Sequence, residues 1–118
     1  MLTIHTPTGP IKDVLASPEA AIVVLSGDID LRQSPTLHAA LVRIVANRPR
    51  RMILDLGEVS HMDSSGVGAL VEIFRRVCAY KGRMVLFGLN PRVRSLLEIT
   101  KLDKFFTIVV SRDQALAA

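Results

Sequence analysis

Short apolar runs alternate along this chain with segments whose apolar residues recur every three or four positions. From residue 20 onward the runs cover residues 20–26, 52–56, 84–87 and 105–110, and their length and flanking turn residues predict strands. The intervening segments have helical periodicity, and strands that alternate with helices form α/β folds with a largely parallel sheet. The sequence therefore predicts a mostly parallel sheet of four to five strands packed against three to four helices.

A leading hairpin is expected to make that sheet mixed. Residues 11–15 are a further candidate strand, separated from the strand at 20–26 by the turn-forming stretch 16–19. Such a short connection joins antiparallel strands, so the first strand is expected at an antiparallel edge. With 118 residues the chain has the size of one domain, which we place at residues 11–118. Residues 1–10 are expected to form a tail or an extra edge strand.

Three predicted helices begin with capping residues. Ser34 and Asn90 each stand directly before a proline, and a polar cap followed by proline is a common helix start. Asp63 or Ser64 is expected to cap the helix between them. The apolar positions of that helix follow the helical period and are Val67, Leu70, Val71, Phe74, Val77 and Cys78.

The cysteine, histidine and acidic residues give no sign of a metal site. Cys78 is the only cysteine, which excludes an internal disulfide and a cysteine-rich metal site. Its place on the apolar stripe predicts a buried core residue rather than a reactive thiol. The three histidines lack metal-ligand spacing, and Asp28 with Asp30 supplies too few carboxylates for a dedicated cation site. We therefore expect neither a metal nor a cofactor.

Charge and hydropathy argue against several functional classes. The formal net charge is +4, but the basic residues are scattered and show no helix-turn-helix pattern, so direct nucleic-acid binding is not expected. A basic surface instead predicts attraction to an acidic partner. The N-terminus lacks the basic start and apolar run of a secretory signal, and no apolar stretch has the length of a membrane helix. A cytoplasmic protein without membrane insertion is the expectation.

The loops that follow the parallel strands are expected to meet at one edge of the sheet. These loops are residues 27–33, 57–65 and 88–92. Open α/β sheets commonly carry their functional residues at the edge where such loops gather. Functional residues are therefore expected in these three segments.

Two serines occupy the start of the second predicted helix. A helix N-terminus has unpaired N–H groups and about half a positive elementary charge, so it accommodates anions. Phosphorylation of Ser64 or Ser65 would add roughly −1.5 to −2 charge there at pH 7. Asp63 beside them, and Asp30 on a loop expected nearby, would repel that phosphate and sharpen its effect on a docking partner. The same residues are typical of an ordinary helix cap, and chemistry alone leaves both interpretations open.

Gly66 and Gly68 follow directly in the first turns of this helix. Glycine is less favourable than alanine inside a helix by ~1 kcal/mol, so the pair indicates close backbone approach or an adaptable N-terminus. A hydrolase is not indicated by His61, Asp63 and Ser65. The Gly-x-Ser-x-Gly pattern is absent, and residues within five positions of one another rarely converge as a triad.

Four segments, in order, resemble the STAS-domain anti-sigma factor antagonists. Residues 62–70, Met-Asp-Ser-Ser-Gly-Val-Gly-Ala-Leu, resemble the signature of that family. Residues 26–30 resemble its Gly-Glu-Leu-Asp segment, residues 51–56 its strand ahead of the switch loop, and residues 90–106 its last long helix and exit. The four blocks cover about residues 11–117, and together they are far more specific than a lone Asp-Ser-Ser-Gly.

This resemblance implies a partner-switching regulator rather than an enzyme. In such a cycle the unphosphorylated antagonist binds an anti-sigma factor that is also an ATP-dependent serine kinase, and a sigma factor is released. The kinase then phosphorylates the serine before the glycine, which is Ser65 here, and a serine phosphatase restores the active form. Asp30 matches the aspartate of the family, and Asp63, Ser64 and Gly66 are expected to support the switch, Ser64 through capping.

The same resemblance leaves one alternative open. STAS proteins also occur inside large signalling assemblies and attached to membrane transporters, where they share the fold without the same cycle. The alternative function is therefore a structural STAS subunit of a stress-signalling assembly or of a lipid or anion transporter complex. The loop at residues 31–35 matches no partner-specific sequence, so the individual partner stays open.

Overall fold

The strands of the computed structural model, which describes residues 2–3 and 9–118, lie side by side in chain order. Within these residues the sheet has six strands: β1 (Leu2–Thr3), β2 (Ile11–Ala16), β3 (Ala20–Ile29), β4 (Arg51–Met62), β5 (Arg83–Phe87) and β6 (Thr107–Val109). The helices are α1 (Ser34–Val45), α2 (Ser64–Ala79), α3 (Pro91–Ile99) and α4 (Arg112–Ala117).

The pairing of the strands confirms the predicted mixed α/β fold. β1, β2 and β3 pair antiparallel, whereas β3 to β6 are parallel. The two-residue strand β1 adds to the four or five strands expected, and within the expected N-terminal tail residue 1 and residues 4–8 lie outside the described residues. No helix in the described part of the chain is long and apolar enough to cross a membrane.

The two faces of the sheet bury cores of very different size. In β3, Val23 and Leu25 point into the large core beneath α1, α2 and α3, whereas Ala20 and Ile22 belong to a small core that includes Ala115 of α4. Successive strand residues point to opposite faces, so a strand covered on both sides is apolar throughout. This explains why residues 20–25 form an unbroken apolar run.

Two strands continue further than the sequence predicted. β3 extends to Ile29 and β4 to Met62, so much of the expected loops 27–33 and 57–65 is strand. Register shifts interrupt the β3–β4 pairing, and a bulged strand loses the strict alternation by which strands are recognised. Beyond Asp55, β4 pairs only with β3, which gives a two-stranded extension on which the next helix is mounted.

The start of α1 also differs from the prediction. The N-cap is Gln33, which makes no side-chain capping bond, and Ser34 is a buried helical residue. Asp30 causes the difference: its carbonyl accepts the Ser34 N–H at 2.9 Å, and its side chain accepts the Arg32 N–H at 3.0 Å. The loop is therefore closed by Asp30 before Ser34 is reached. The predicted caps at Asn90 and at Asp63, by contrast, are confirmed.

The prediction that Cys78 is a buried core residue is wrong. Cys78 is exposed, and the buried side of the helix includes Ile73, which the predicted stripe omitted. The buried stripe of α2 runs along Leu70, Ile73 and Val77. Since one residue turns a helix by about 100°, Cys78 points away from the sheet directly after Val77.

Candidate functional site

Asp63 organises the first turn of α2. It is the N-cap, with extended backbone, and its Oδ1 accepts the Ser65 N–H at 2.9 Å and the Gly66 N–H at 3.3 Å. The same oxygen accepts a hydrogen bond from Ser65 Oγ at 2.5 Å. One carboxylate oxygen therefore pairs two N–H groups that a helix start leaves open and orients the neighbouring hydroxyl.

The second oxygen of Asp63 joins the helix start to the loop after β3. Its Oδ2 accepts the Leu31 N–H at 3.1 Å, and the Asp63 N–H donates to the Ile29 carbonyl at 3.2 Å. Leu31 itself is 72% exposed. A single residue therefore holds the start of α2 and the backbone of an exposed apolar residue on the neighbouring loop in one arrangement.

Gly66 sits where the helix touches the end of β3. A Cβ at this position would lie 2.7 Å from Met62 Cγ, 2.9 Å from Ile29 Cγ2 and 3.1 Å from the Ile29 carbonyl oxygen. Contacts this short require the neighbours to shift. At Gly68 nothing lies within 4 Å of such an atom. Close approach therefore explains Gly66, and nothing in the structure explains Gly68.

The two serines differ in how they are presented. Ser65 is half-buried with its hydroxyl on Asp63, whereas Ser64 is exposed as the first helical residue. The capping expected of Ser64 is performed by Asp63. Ser65 is therefore the serine whose hydroxyl the protein fixes in place.

Asp30 lies close to this cluster through its sequence neighbour Leu31, but its carboxylate serves its own loop. It accepts the N–H groups of Arg32 at 3.0 Å and Gln33 at 3.2 Å. Within the described residues Asp30 makes no hydrogen bond to either serine. Its position near the switch follows the prediction, and a role in repelling a phosphate stays a prediction.

Hydrogen bonds at this cluster lower the pKa of Asp63. The Ser65 hydroxyl has the largest effect on the pKa of the Asp63 carboxyl; burial, the next largest, opposes it, and the N–H groups of Gly66, Ser65 and Leu31 lower the pKa further. Hydrogen bonds to a charged form lower the pKa of an acid in this way. At neutral pH the Ser65 hydroxyl therefore faces a carboxylate and acts as the donor.

Two further contacts at this edge were not found from the sequence. Ser60 Oγ donates to Asp28 Oδ1 at 2.6 Å, and the Asn90 amide donates to the carbonyls of Val59 at 2.8 Å and Ser60 at 3.3 Å. Both join residues 30 or more positions apart, so no local spacing pattern indicates them. In the described part of the chain, no group of three or more histidine, cysteine or acidic side chains is arranged for a metal ion.

Comparison with known proteins identifies the family. The STAS domain family matches residues 12–115. The chain is 35% identical over 86 residues to the anti-sigma-B factor antagonist of Listeria monocytogenes, an alignment that covers 73% of this chain and 75% of that protein. The chain belongs to the STAS domain family. An anti-sigma factor antagonist from Mycobacterium paratuberculosis resembles this STAS domain with a TM-score of 0.80 and 28% identity, over 88% of each chain.

A more distant structure shares the fold. SpoIIAA from Bacillus, solved in its phosphorylated form, resembles this STAS domain with a TM-score of 0.68 and 21% identity, over 91% of this chain and 95% of that one. At this identity the likeness concerns the fold alone. The STAS fold therefore accommodates a phosphorylated form in that protein.

Proposed function

We propose that this STAS domain is an anti-sigma factor antagonist switched by phosphorylation of Ser65. In its unphosphorylated form it binds an anti-sigma factor that is also a serine kinase, and a sigma factor is thereby released. Phosphorylation of Ser65 by that kinase ends the binding, and a serine phosphatase reverses it. The family membership and the Listeria relative support this assignment.

The observation that carries the proposal is the hydrogen bond from Ser65 Oγ to Asp63. A kinase must transfer a phosphoryl group to a serine oxygen in a fixed direction, and Asp63 holds that oxygen in one orientation. The site lies at the start of a 16-residue helix, whose N-terminal partial charge accommodates an added anion. The serine is thus suited both to accept the phosphate and to carry it without unfolding α2.

Phosphorylation would change the local charge balance sharply. The hydroxyl that donates to Asp63 would be replaced by a group with roughly −1.5 to −2 charge, directly beside a carboxylate that is ionised at neutral pH. An attraction thus becomes a repulsion at the residue that also accepts the Leu31 N–H. We expect the new charge to weaken the Asp63–Leu31 contact as well as to repel an acidic or apolar partner surface.

Leu31 is the expected apolar contact for the partner. Its side chain is 72% exposed beside the switch, and Asp63 fixes its backbone at 3.1 Å. An exposed leucine on an ordered loop offers apolar area at a small entropic cost. The regulator acts by binding rather than by catalysis in this proposal, and it works in the cytoplasm because its partners control transcription there.

Incubation of the protein with ATP and its cognate kinase, followed by mass spectrometry of peptides, tests the proposal. We expect one phosphate on Ser65 and none on Ser64, since only the Ser65 hydroxyl is oriented by Asp63. Ser65→Ala should abolish the modification. An unmodified Ser65 in the presence of a kinase that phosphorylates another antagonist would contradict the proposal.

A further inference from the structure

Cationic side chains gather at the end of the sheet opposite the switch. β3, β4 and β5 start beside one another there, since Ala20 pairs with Arg51, and Arg51 with Arg83. The turns that follow α1 and α2 reach the same end. We call this surface the cationic pole; it comprises Arg48, Arg50, Arg51, Arg76, Lys81 and Arg83. The whole length of β4 separates it from Asp63.

Two open grooves cross the cationic pole. The first, of about 390 Å³, lies between the C-terminal ends of α1 and α2 and combines apolar and cationic side chains: Val42, Val45, Ala46, Ala79 and Tyr80, with Arg48 and Arg76. The second, of about 520 Å³, is lined by Arg50, Arg51, Lys81 and Arg83 together with the C-terminal alanines. The first groove is thus apolar with cations around it, and the second is cationic.

The backbone holds two of these cations in a conformation that favours glycine. Arg48 has a φ of 51° and Lys81 a φ of 63°, and the left-handed region disfavours side chains by about 1–2 kcal/mol. Cations near helix C-termini interact favourably with the helix dipole. This interaction accounts in part for a cation rather than glycine at Arg48 and at Lys81. Arg50, Arg51 and Arg83 lie before or at the starts of strands, however, so no helix end accounts for them.

Acidic side chains neutralise the pole only in part. Arg50 lies 3.6 Å from Glu19, but the two side chains are 73% and 68% exposed, and such pairs contribute little. Arg76 donates to Glu72 at 2.7 Å. Arg51 Nε donates to the Ala118 carbonyl oxygen at 2.6 Å. Within the described residues Arg48, Lys81 and Arg83 make none of the ion pairs found, and they leave a positive field at this end, which attracts anions.

The surroundings of these cations favour one class of partner. Tyr80, the aromatic residue of the α1–α2 groove, is half-buried with its hydroxyl on the Pro49 carbonyl at 2.8 Å. It therefore offers no stacking platform for a base, and a duplex presents mainly phosphates to such a surface. Membrane binding strengthens with the apolar area that inserts beside basic residues. In the described part of the chain none of the exposed large apolar residues lines either groove: Leu31, Ile99, Phe105, Val110 and Leu116.

We propose that the cationic pole binds an acidic segment of a partner protein, with an apolar side chain of that segment in the α1–α2 groove. Grooves that combine apolar walls with charged rims bind amphipathic segments of opposite charge. This second surface is independent of the proposed phosphorylation, because Ser65 lies beyond the other end of β4. It lets the domain hold one partner while the switch engages another.

The test uses the full chain and a short fluorescein-labelled peptide in which glutamates flank two leucines. Anisotropy titration should give saturable binding, at least about fivefold tighter than for the same peptide with serines in place of the leucines, as expected for burial of apolar groups. In NMR spectra recorded during titration with the peptide, the largest changes in backbone amide chemical shift should be those of Arg48, Ala79 and Lys81. Arg48→Gly combined with Lys81→Gly should weaken binding about tenfold without loss of folding, since both positions favour glycine.

Lys101→Gly is the matched control. Lys101 has a φ of 60° after α3 and is exposed, but it lines neither groove, so its replacement should leave peptide affinity unchanged. Equal binding of the leucine and serine peptides would overturn the proposal. So would tighter binding of duplex DNA or of phosphatidylglycerol vesicles, or a loss in the Lys101 variant as large as in the double variant.

Discussion

The starts of α2 and α3 occupy neighbouring positions at the same edge of the sheet and use the same type of cap, yet only one has the features of a switch. Asp63 and Asn90 both have extended backbone and both accept N–H groups of the first turn. Asn90 Oδ1 accepts the Val93 N–H at 2.9 Å, much as Asp63 accepts those of Ser65 and Gly66. As helix caps the two residues are equivalent.

The remaining atom of each cap makes the difference. The Asn90 amide donates to the Val59 and Ser60 carbonyls, so it can only fasten α3 to β4. Asp63 has no donor; its second oxygen accepts the Leu31 N–H, and its first also accepts the Ser65 hydroxyl. In α2 a phosphate would replace the hydroxyl that donates to the charged cap. In α3 the residue two positions after the cap is Arg92, which has no hydroxyl. The charge of the cap and the residues that follow it therefore distinguish the proposed switch at Asp63 from the purely structural cap at Asn90.

The largest expected effect is that of a negative charge at Ser65 on binding of the anti-sigma factor. Ser65→Asp should weaken binding of the anti-sigma factor about a hundredfold, because like charges brought together at an interface cost several kcal/mol. Ser65→Ala should bind nearly as well as the unchanged protein. Ser95→Asp adds the same charge to an exposed position of α3 and is the control. Isothermal titration with the cognate anti-sigma factor measures all three, and equal losses in the two aspartate variants would contradict the assignment.

The glycines of α2 provide the next effect, on folding stability. Gly66→Ala should lower the free energy of unfolding by about 1–3 kcal/mol, because the new methyl group meets Met62 and Ile29. Gly68→Ala should raise it by about 0.5–1 kcal/mol, since an exposed helical glycine gains from replacement and space is open there. Urea denaturation compares the two variants. A similar change in both would mean that close approach at Gly66 is not the constraint.

Replacement of each cap by the residue type of the other, Asn90→Asp and Asp63→Asn, should lower folding stability by unequal amounts. Asn90→Asp places a carboxylate against the carbonyls of Val59 and Ser60, which now receive an amide, and should cost about 1–2 kcal/mol. Asp63→Asn keeps a good capping oxygen and should have the smaller effect on the thermal midpoint at neutral pH. Calorimetry of both variants compares the two losses of stability. A larger loss in Asp63→Asn than in Asn90→Asp would show that the structural role and the switch role are assigned to the wrong caps.

The smallest expected effect is on the pH dependence of stability. The folded pKa of Asp63 lies below its usual value because the Ser65 hydroxyl and nearby N–H groups donate to it. Such a carboxyl stabilises the fold at pH values above about 4 and loses that contribution as the pH falls through the folded pKa. Asp63→Asn should therefore flatten the acid side of the stability profile. Glu72, whose pKa Arg76 and His38 also lower, remains as an internal reference, and an unchanged slope would contradict the prediction.

What the sequence revealed at this site is what depends on near neighbours. The caps at Asp63 and Asn90 were predicted because each side chain bonds to N–H groups two or three residues ahead. The bond from Leu31 to Asp63 joins residues 32 positions apart, and it exists only because β3 and β4 are paired. The failure of Ser34 as a cap has a local cause, since Asp30, four positions earlier, already closes that loop.

The strand lengths and the core also include features that the sequence predicts and features that it does not. The fully apolar run of β3 was recognisable, whereas the ends of β3 and β4 were not, because bulges break the alternation of buried and exposed residues. Cys78 was misplaced because the stripe of a long helix is broad, and Val77 rather than Cys78 is the last residue facing the sheet. The helix caps at Asp63 and Asn90 are predictable from the sequence, whereas the loop closure by Asp30 and the contacts created by strand pairing and bulging are not.

The two-stranded extension of β3 and β4 has a consequence for the kinetics of the switch. Beyond Asp55 in β4 and Leu25 in β3, each of these two strands pairs only with the other. This segment therefore opens at a lower free energy than the centre of the sheet, where each strand has two neighbours. Amide hydrogens of residues 58–62 should accordingly exchange with deuterium faster than those of residues 52–54. The proposed switch is thus attached to a part of the sheet that opens more readily than its centre, and we expect a partner to remodel it without unfolding the core.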